Sequence, residues 1–419
     1  MELFYVLLVL LLVTRLFGEL AVRLRQPALV GELVSGILLG IVVHRYSDTF
    51  SVLNGLAGDE VFGAISDLAV FFLMLLAGIE MQPHHLGRAA GGAFFVALGG
   101  MLLPLAAGFG LAWYFIPDSP YKLPQSLFLA TSLSITAVPV AVKVLMDLGH
   151  LDTRIAHTII SAAIFDDVLS LILLAALTAV IHTGGLPDPV RIAQLCGEAL
   201  LFFGATILFG STLYPLGGRL LHSFRSDEID FTALLVVGFA YALLAEGLEL
   251  HFILGAFLAG LFFVRRTIDP HAYDAVKARV SGITTGFLAP VFFASVGLHF
   301  DTESMRAVPV FVGLLVLTAF LCKLAGAGLP ALLLGFTPRE AVAVGVGMSA
   351  RGAVELIIAD IALRAGLFDV PQPIPIVVRY LFSAVVIMAL ATTLLTPLTL
   401  RWVLPYREKA IPQMRAKYR

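Results

Sequence analysis

Asp166 and Asp167 stand side by side in "SAAIFDDVLSLILLAAL" (161–177), a run otherwise apolar apart from serines. At the centre of a bilayer each carboxylate costs about 2.5–3.5 kcal/mol on insertion scales, so acids kept at that depth are expected to handle cations or protons. Adjacent helical positions point about 100° apart, so the two carboxylates cannot face one partner. One is expected to face a cation, the other a counter-charge. Lys323, in the middle of "VLTAFLCKLAGAGLPALLL", supplies that counter-charge. A permanent Asp–Lys pair that only ties helices together is the plainer alternative, but buried ion pairs are weak stabilisers and an apolar pair would serve as well.

A second cluster lies in "VGVGMSARGAVELIIAD", which carries Arg351, Glu355 and Asp360. Arg351 and Glu355 are four residues apart, on one helical face, and are expected to pair and to take part in charge coupling. Gly345, Gly347 and Gly352 weaken the helix around them. A matching disturbance occurs in "TSLSITAVPVAV", where Pro139 frees the carbonyl of Ile135. The hydroxyls of Thr131, Ser132, Ser134 and Thr136 lie beside it. Asp166 and Asp167, with a hydroxyl from Thr131, Ser132 or Thr136 and water, make an oxygen set fit for a small alkali cation. Taken alone, that disturbance reads equally as a simple proline kink. Asp360, Glu32, Lys143, Glu198 and Glu246 fall nearer the ends of apolar runs and are read as interfacial. His150, His157 and His182 lie at loop edges. No nucleophile–base set or metal-ligand motif appears, so an enzyme and a resident cofactor are not expected. Cys196 and Cys322 stand far apart in apolar runs and are read as packing residues.

These residues need a membrane to be unusual, and the composition supplies one. The chain is 59% hydrophobic and 13% charged, against about 25% charged for a soluble domain. Its mean hydropathy is +0.97. Apolar runs of spanning length recur, as in a polytopic helical protein whose backbone groups are satisfied within each segment. The short alternating segments of a membrane β-barrel are missing. The first run, "MELFYVLLVLLLVTRLF", lacks a basic leader and reads as a span rather than a signal peptide. No basic stripe suggests nucleic acid; the expected partners are lipid and small monovalent cations. Thirteen candidate spans fall at 2–17, 27–44, 61–80, 89–115, 124–148, 154–182, 191–219, 230–247, 251–265, 281–299, 307–334, 338–365 and 376–404. Loops after odd-numbered spans hold about twice the lysine and arginine of the others. The N-terminus is therefore expected outside, with the short basic tail 405–419 in the cytoplasm.

The sequence also resembles itself. "GELVSGILLGIVV" (31–43) has a counterpart in "ILGAFLAGLFFV" (253–264), and "AVFFLMLLAGIEM" (69–81) in "APVFFASVGLHFD" (289–301). "SITAVPVAVKVLMDLG" (134–149) pairs more loosely with "SARGAVELIIADIALRAG" (349–366). Gly36 thus pairs with Gly260, Gly78 with Gly297 and Ser134 with Ser349, in one order. The expected organisation of the transporter domain 1–404 is repeat one at about 2–182, a linker helix at about 191–219, and repeat two at about 230–404. Six spans per repeat make the copies oppositely oriented, a transporter signature that puts the site at the midplane where discontinuous helices meet.

The paired acids, the mid-span lysine and "ARGAVE" in a broken span, with "GELVSGILLG", "LLAGIE" and "LGAFLAGLFF", resemble bacterial sodium/proton antiporters of the monovalent cation:proton antiporter-2 family, within the cation/proton antiporter superfamily. The resemblance runs from about residue 3 to 404. It implies an all-α fold of about thirteen transmembrane helices in two inverted six-helix repeats, with two crossed discontinuous helices. It also implies a homodimer in a bacterial-type cell membrane, serving sodium transport and pH homeostasis. A core of helices at about 89–182 and 307–404 would move against the remainder in an elevator-like way. Asp167 would be the main cation ligand and proton carrier, and Asp166 the partner of Lys323 in one state. The Asp-Asp form goes with electrogenic exchange of sodium, or lithium, for protons. Electroneutral relatives have Asn-Asp preceded by a buried glutamate, where this chain has Ala162 and Ala163. Glutathione-gated potassium relatives read Gln-Asp and append a nucleotide-binding domain. Potassium/proton exchange on the same fold, a sodium-coupled organic anion symporter, and a channel or structural membrane subunit are the rival readings.

Overall fold

In the computed structural model of the chain, residues 2–24, 26–45, 60–80, 86–136, 153–183, 201–210, 228–248, 250–264 and 269–404 are described, with isolated positions between them. All regular structure among them is helical. Apart from the single turns Ser304–Ala307 and Ile376–Arg379, the helices are α1 Glu2–Arg23, α2 Ala28–Arg45, α3 Glu60–Glu80, α4 Leu86–Phe115, α5 Lys122–Ser134, α6 Arg154–Thr183, α7 Leu201–Gly210, α8 Ile229–Gly247, α9 Phe252–Phe262, α10 Pro270–Leu298, α11 Pro309–Leu333, α12a Pro338–Gly347, α12b Ala353–Arg364 and α13 Leu381–Val403. Seven of these are long and apolar enough to cross a membrane.

The helices pack as two groups. One contains α4, α5, α6, α11, α12a, α12b and α13; the other contains α1, α2, α3, α8, α9 and α10. In the second group the crossings are made by glycine. A Cβ on Gly36 would strike the backbone of Ala294, and one on Gly297 would strike Leu33 and Gly36, so α2 and α10 touch main chain to main chain. Gly78 and Gly260 do the same for α3 and α9. Exchanging Gly36 for its counterpart Gly260, and Gly297 for Gly78, turns the first crossing into the second. Without a hydrophobic drive between helices in lipid, such close backbone contact is what holds them.

Helix α10 begins well before the span expected at 281–299. Asp269 caps it, Oδ1 accepting from the backbone N–H of His271 at 2.9 Å and of Ala272 at 3.1 Å, and Pro270 starts its first turn. Tyr273, Val276 and Val280 form its buried stripe, while the charged residues between them hid that stripe from a hydropathy reading. A π-helical turn, Thr284–Leu288, interrupts α10 just ahead of Pro290. Proline has no N–H for the carbonyl four residues back, which accounts for the widened turn. Arg15 of α1 donates to the carbonyl of Thr285 in that turn.

Two helices stop short inside the first group. Helix α5 ends at Ser134, and Ile135 turns extended at φ −76°, ψ 151°. Residues 348–352 separate α12a from α12b, with Gly352 at φ −159°, ψ −144°. Helix α12a is started by a capping box, Thr337 N–H donating to Glu340 Oε2 at 2.9 Å, with Pro338 following. Pro139 and Lys143 lie outside the described residues.

Candidate functional site

The end of α5 leaves carbonyls without helical partners. Each finds a donor. Ser134 Oγ donates to Thr131 O at 2.8 Å. Arg351, from the break between α12a and α12b, donates through Nη1 to Ser132 O at 2.8 Å and to Ile135 O, and through Nη2 to Leu133 O. Lys323 of α11 donates to Ser134 O. Two buried cations thus sit on the negative end of the α5 dipole, where cations are favoured. Thr393 of α13 donates to the carbonyl of Arg351 at 3.1 Å and steadies the break from the other side.

Lys323 has a second partner. Its Nζ lies 3.3 Å from both carboxylate oxygens of Asp166, and both side chains are fully buried. The pairing expected from the sequence is therefore made, but the lysine is shared between a carboxylate and a helix end. Lys323 reaches this point because Gly326, one turn on, lets α11 cross α4 against the backbone of Gly99.

The other expected site residues fall as follows. Thr131, Ser132 and Thr136 are buried at the end of α5. The Ser132 hydroxyl donates to Phe128 O at 2.9 Å. The Thr136 hydroxyl has no hydrogen-bond partner among the described residues. The same holds for Ser170, one turn beyond Asp166 on α6. Asp167 occupies a helical position in α6, and its side chain lies outside the described residues. Glu355 is buried in the first turn of α12b, where an acid complements the helix dipole. Its Oε2 is 3.9 Å from Arg351 Nη1, beyond hydrogen-bond reach. The expected Arg351–Glu355 pair is thus a loose one, and the guanidinium spends its directed donors on α5.

Two residues read as interfacial are buried instead. Asp360 is 6% exposed and its Oδ2 accepts from Arg364 Nε at 2.8 Å. Glu32 is 5% exposed and lies 3.5 Å from Arg15 Nη1. Distance from a helix end did not reveal that neighbouring helices cover them. Sequence reasoning also passed over Asp67 and Arg364. Arg364 Nη1 donates to Asp67 Oδ1 at 2.7 Å, joining α12b to α3. Both line a cavity of about 250 Å³, along with Thr178 of α6, His251 at the start of α9, and Asp360. The lone acid in "AISDLAVFF" was the available signal.

The arrangement sets a buried carboxylate, Asp166, against a buried ammonium, Lys323, at the carboxyl end of α5. The chain matches the family described as sodium/hydrogen exchanger, transmembrane, over residues 7–405. It is 32% identical to the Na+/H+-K+ antiporter GerN of Bacillus cereus, covering 98% of each chain. It is 28% identical to a Na+/H+ antiporter of Enterococcus hirae, covering 96% of this chain and 98% of that one. Its fold matches the sodium proton antiporter MjNhaP1 from Methanocaldococcus jannaschii, solved at pH 8, with a TM-score of 0.73 at 17% identity over 97% of this chain and 99% of that one.

Proposed function

Because the chain belongs to the sodium/hydrogen exchanger family, we propose that this integral membrane secondary transporter exchanges sodium, or lithium, for protons and moves net charge in doing so. The observation that carries the reading is the buried Asp166–Lys323 contact at the carboxyl end of α5. Cation and protons compete for Asp167 and Asp166. A carboxylate that holds a proton cannot ligate sodium, so inward movement of one exports the other. The hydroxyls of Thr131, Ser132 and Thr136 complete the oxygen set, and the unpartnered Thr136 hydroxyl supports that role.

Arrival of sodium draws Asp166 away from Lys323, and the lysine gives up a proton at that step. Two protons then leave for one cation, which makes exchange electrogenic. Access alternates by movement of α4–α6 and α11–α13 against the remaining helices, a division supported by how the two groups pack. Arg351 and Glu355 keep the break between α12a and α12b aligned with the end of α5 during that movement. The chain works as a homodimer, with its N-terminus outside and its C-terminus in the cytoplasm. Potassium in place of sodium is the second reading, favoured by the name of the Bacillus cereus relative, a Na+/H+-K+ antiporter.

Sodium-driven pH change in everted vesicles tests the core of this reading. Asp167→Asn is expected to abolish it while the protein still inserts; retained exchange would defeat the assignment. Proton release on adding sodium, lithium or potassium to purified protein ranks the cations.

A further inference from the structure

The cavity of about 250 Å³ has walls from both groups of helices: Asp67 from α3 and His251 from α9 on one side, Thr178 from α6, with Asp360 and Arg364 from α12b, on the other. It sits above the acidic pair. Thr178 lies eleven residues beyond Asp167, which is about 16 Å along α6 and within about 20° of the same face. The cavity does not reach Asp166, which is absent from its lining, fully buried and held to Lys323.

One guanidinium crosses this space. Arg364 Nε is held at 2.8 Å by Asp360 on its own helix, and Nη1 reaches Asp67 on α3 at 2.7 Å. The first contact is local, one turn apart, and travels with α12b. The second exists only while α12b lies beside α3. The planar fork of arginine fixes both donors in direction, so it cannot follow a sliding helix as a flexible ammonium would.

We propose that the Asp67–Arg364 bridge is a latch between the two groups of helices: it is closed while Asp166 is sealed from the cavity, and it opens when a cation passes from the cavity toward Asp167. This rests on the alternating-access reading above. Asp360 acts as a positioning residue that keeps Arg364 aimed across the cavity. With Arg364 and Asp67 each partly exposed, the bridge shifts the balance between closed and open by about five-fold at most.

The test uses the full chain in liposomes, with apparent sodium affinity and maximal rate measured separately from each face. Asp67→Asn and Arg364→Gln are each expected to change apparent affinity about three- to five-fold from the cavity face and leave the opposite face unchanged. The double variant should match either single one. Effects that add, or that appear equally from both faces, overturn the latch, because an unconnected structural role gives that result. A second arm joins Asp67→Cys to Arg364→Cys with a short, reducible bis-thiol reagent, after Cys196→Ala and Cys322→Ala. Exchange should stop on linking and return on reduction. Undiminished exchange by the linked protein overturns the proposal. The unlinked protein is the reference throughout; if it fails to exchange any alkali cation for protons, the functional reading falls instead.

Discussion

Both groups of helices have close glycine crossings, Gly99 against Gly326 among them, but the group of α4–α6 and α11–α13 adds directed bonds from two buried cations. In α1–α3 and α8–α10 the crossings are main chain against main chain at Gly36, Gly78, Gly260 and Gly297. Such contacts have one geometry and no second partner to go to. In α4–α6 and α11–α13 the decisive contacts are directed bonds from two buried cations, Lys323 and Arg351, to the carbonyls at the end of α5 and to Asp166. Those bonds can be exchanged for others without separating the helices. A scaffold wants the first kind of cohesion, and a part that changes state wants the second.

That contrast can be broken at its strongest point. Arg351→Gln leaves three carbonyls of α5 without their donor and removes a buried charge. It is expected to lower stability by about 3–5 kcal/mol, read as thermal unfolding in detergent, with exchange lost even in protein that remains folded. Gly78→Leu attacks the other group, driving a side chain into the Phe257 carbonyl of α9. A loss of about 1–3 kcal/mol is expected, and the folded fraction should keep the wild-type sodium dependence. If that variant altered cation affinity instead, the two groups would not divide the work as described.

Lys323→Gln sharpens the comparison by changing charge at nearly constant shape. Membrane-voltage recordings should show charge movement diminished while some exchange persists; equal electrogenicity would remove the lysine from coupling. The smallest effect belongs to Thr393→Val, which deletes the bond to the Arg351 carbonyl. About 1 kcal/mol of stability is expected to go, with transport close to wild type in vesicle assays.

Legibility in the sequence followed the same divide. Asp166 and Lys323 were visible because their types conflict with lipid, and the break after Gly347 was visible from its glycines. The glycines at those crossings, Gly36, Gly78, Gly260 and Gly297, stood out as members of similar segments. The destination of Arg351 was not, because its acceptors are backbone carbonyls of Ser132, Leu133 and Ile135, and a carbonyl has no letter of its own. Glu355, four residues away, looked like the obvious partner for that reason. The start of α10 was hidden by the polar side chains of His271, Asp274, Lys277 and Arg279, which decorate a helix whose Tyr273, Val276 and Val280 are buried. Asp360 and Glu32 read as edge residues because tertiary cover cannot be read from position along a span.

The double attachment of Lys323 carries one more consequence. Should Asp166 swing aside to greet an incoming ion, the amine left behind after its proton departs is not stranded in oil, for its remaining N–H groups keep the Ser134 oxygen as an acceptor. Half of its anchorage never has to be surrendered, so the handover leaves no buried donor without an acceptor. An amine with a permanent mooring can let its other line go cheaply, and go on doing so at every turn of the cycle.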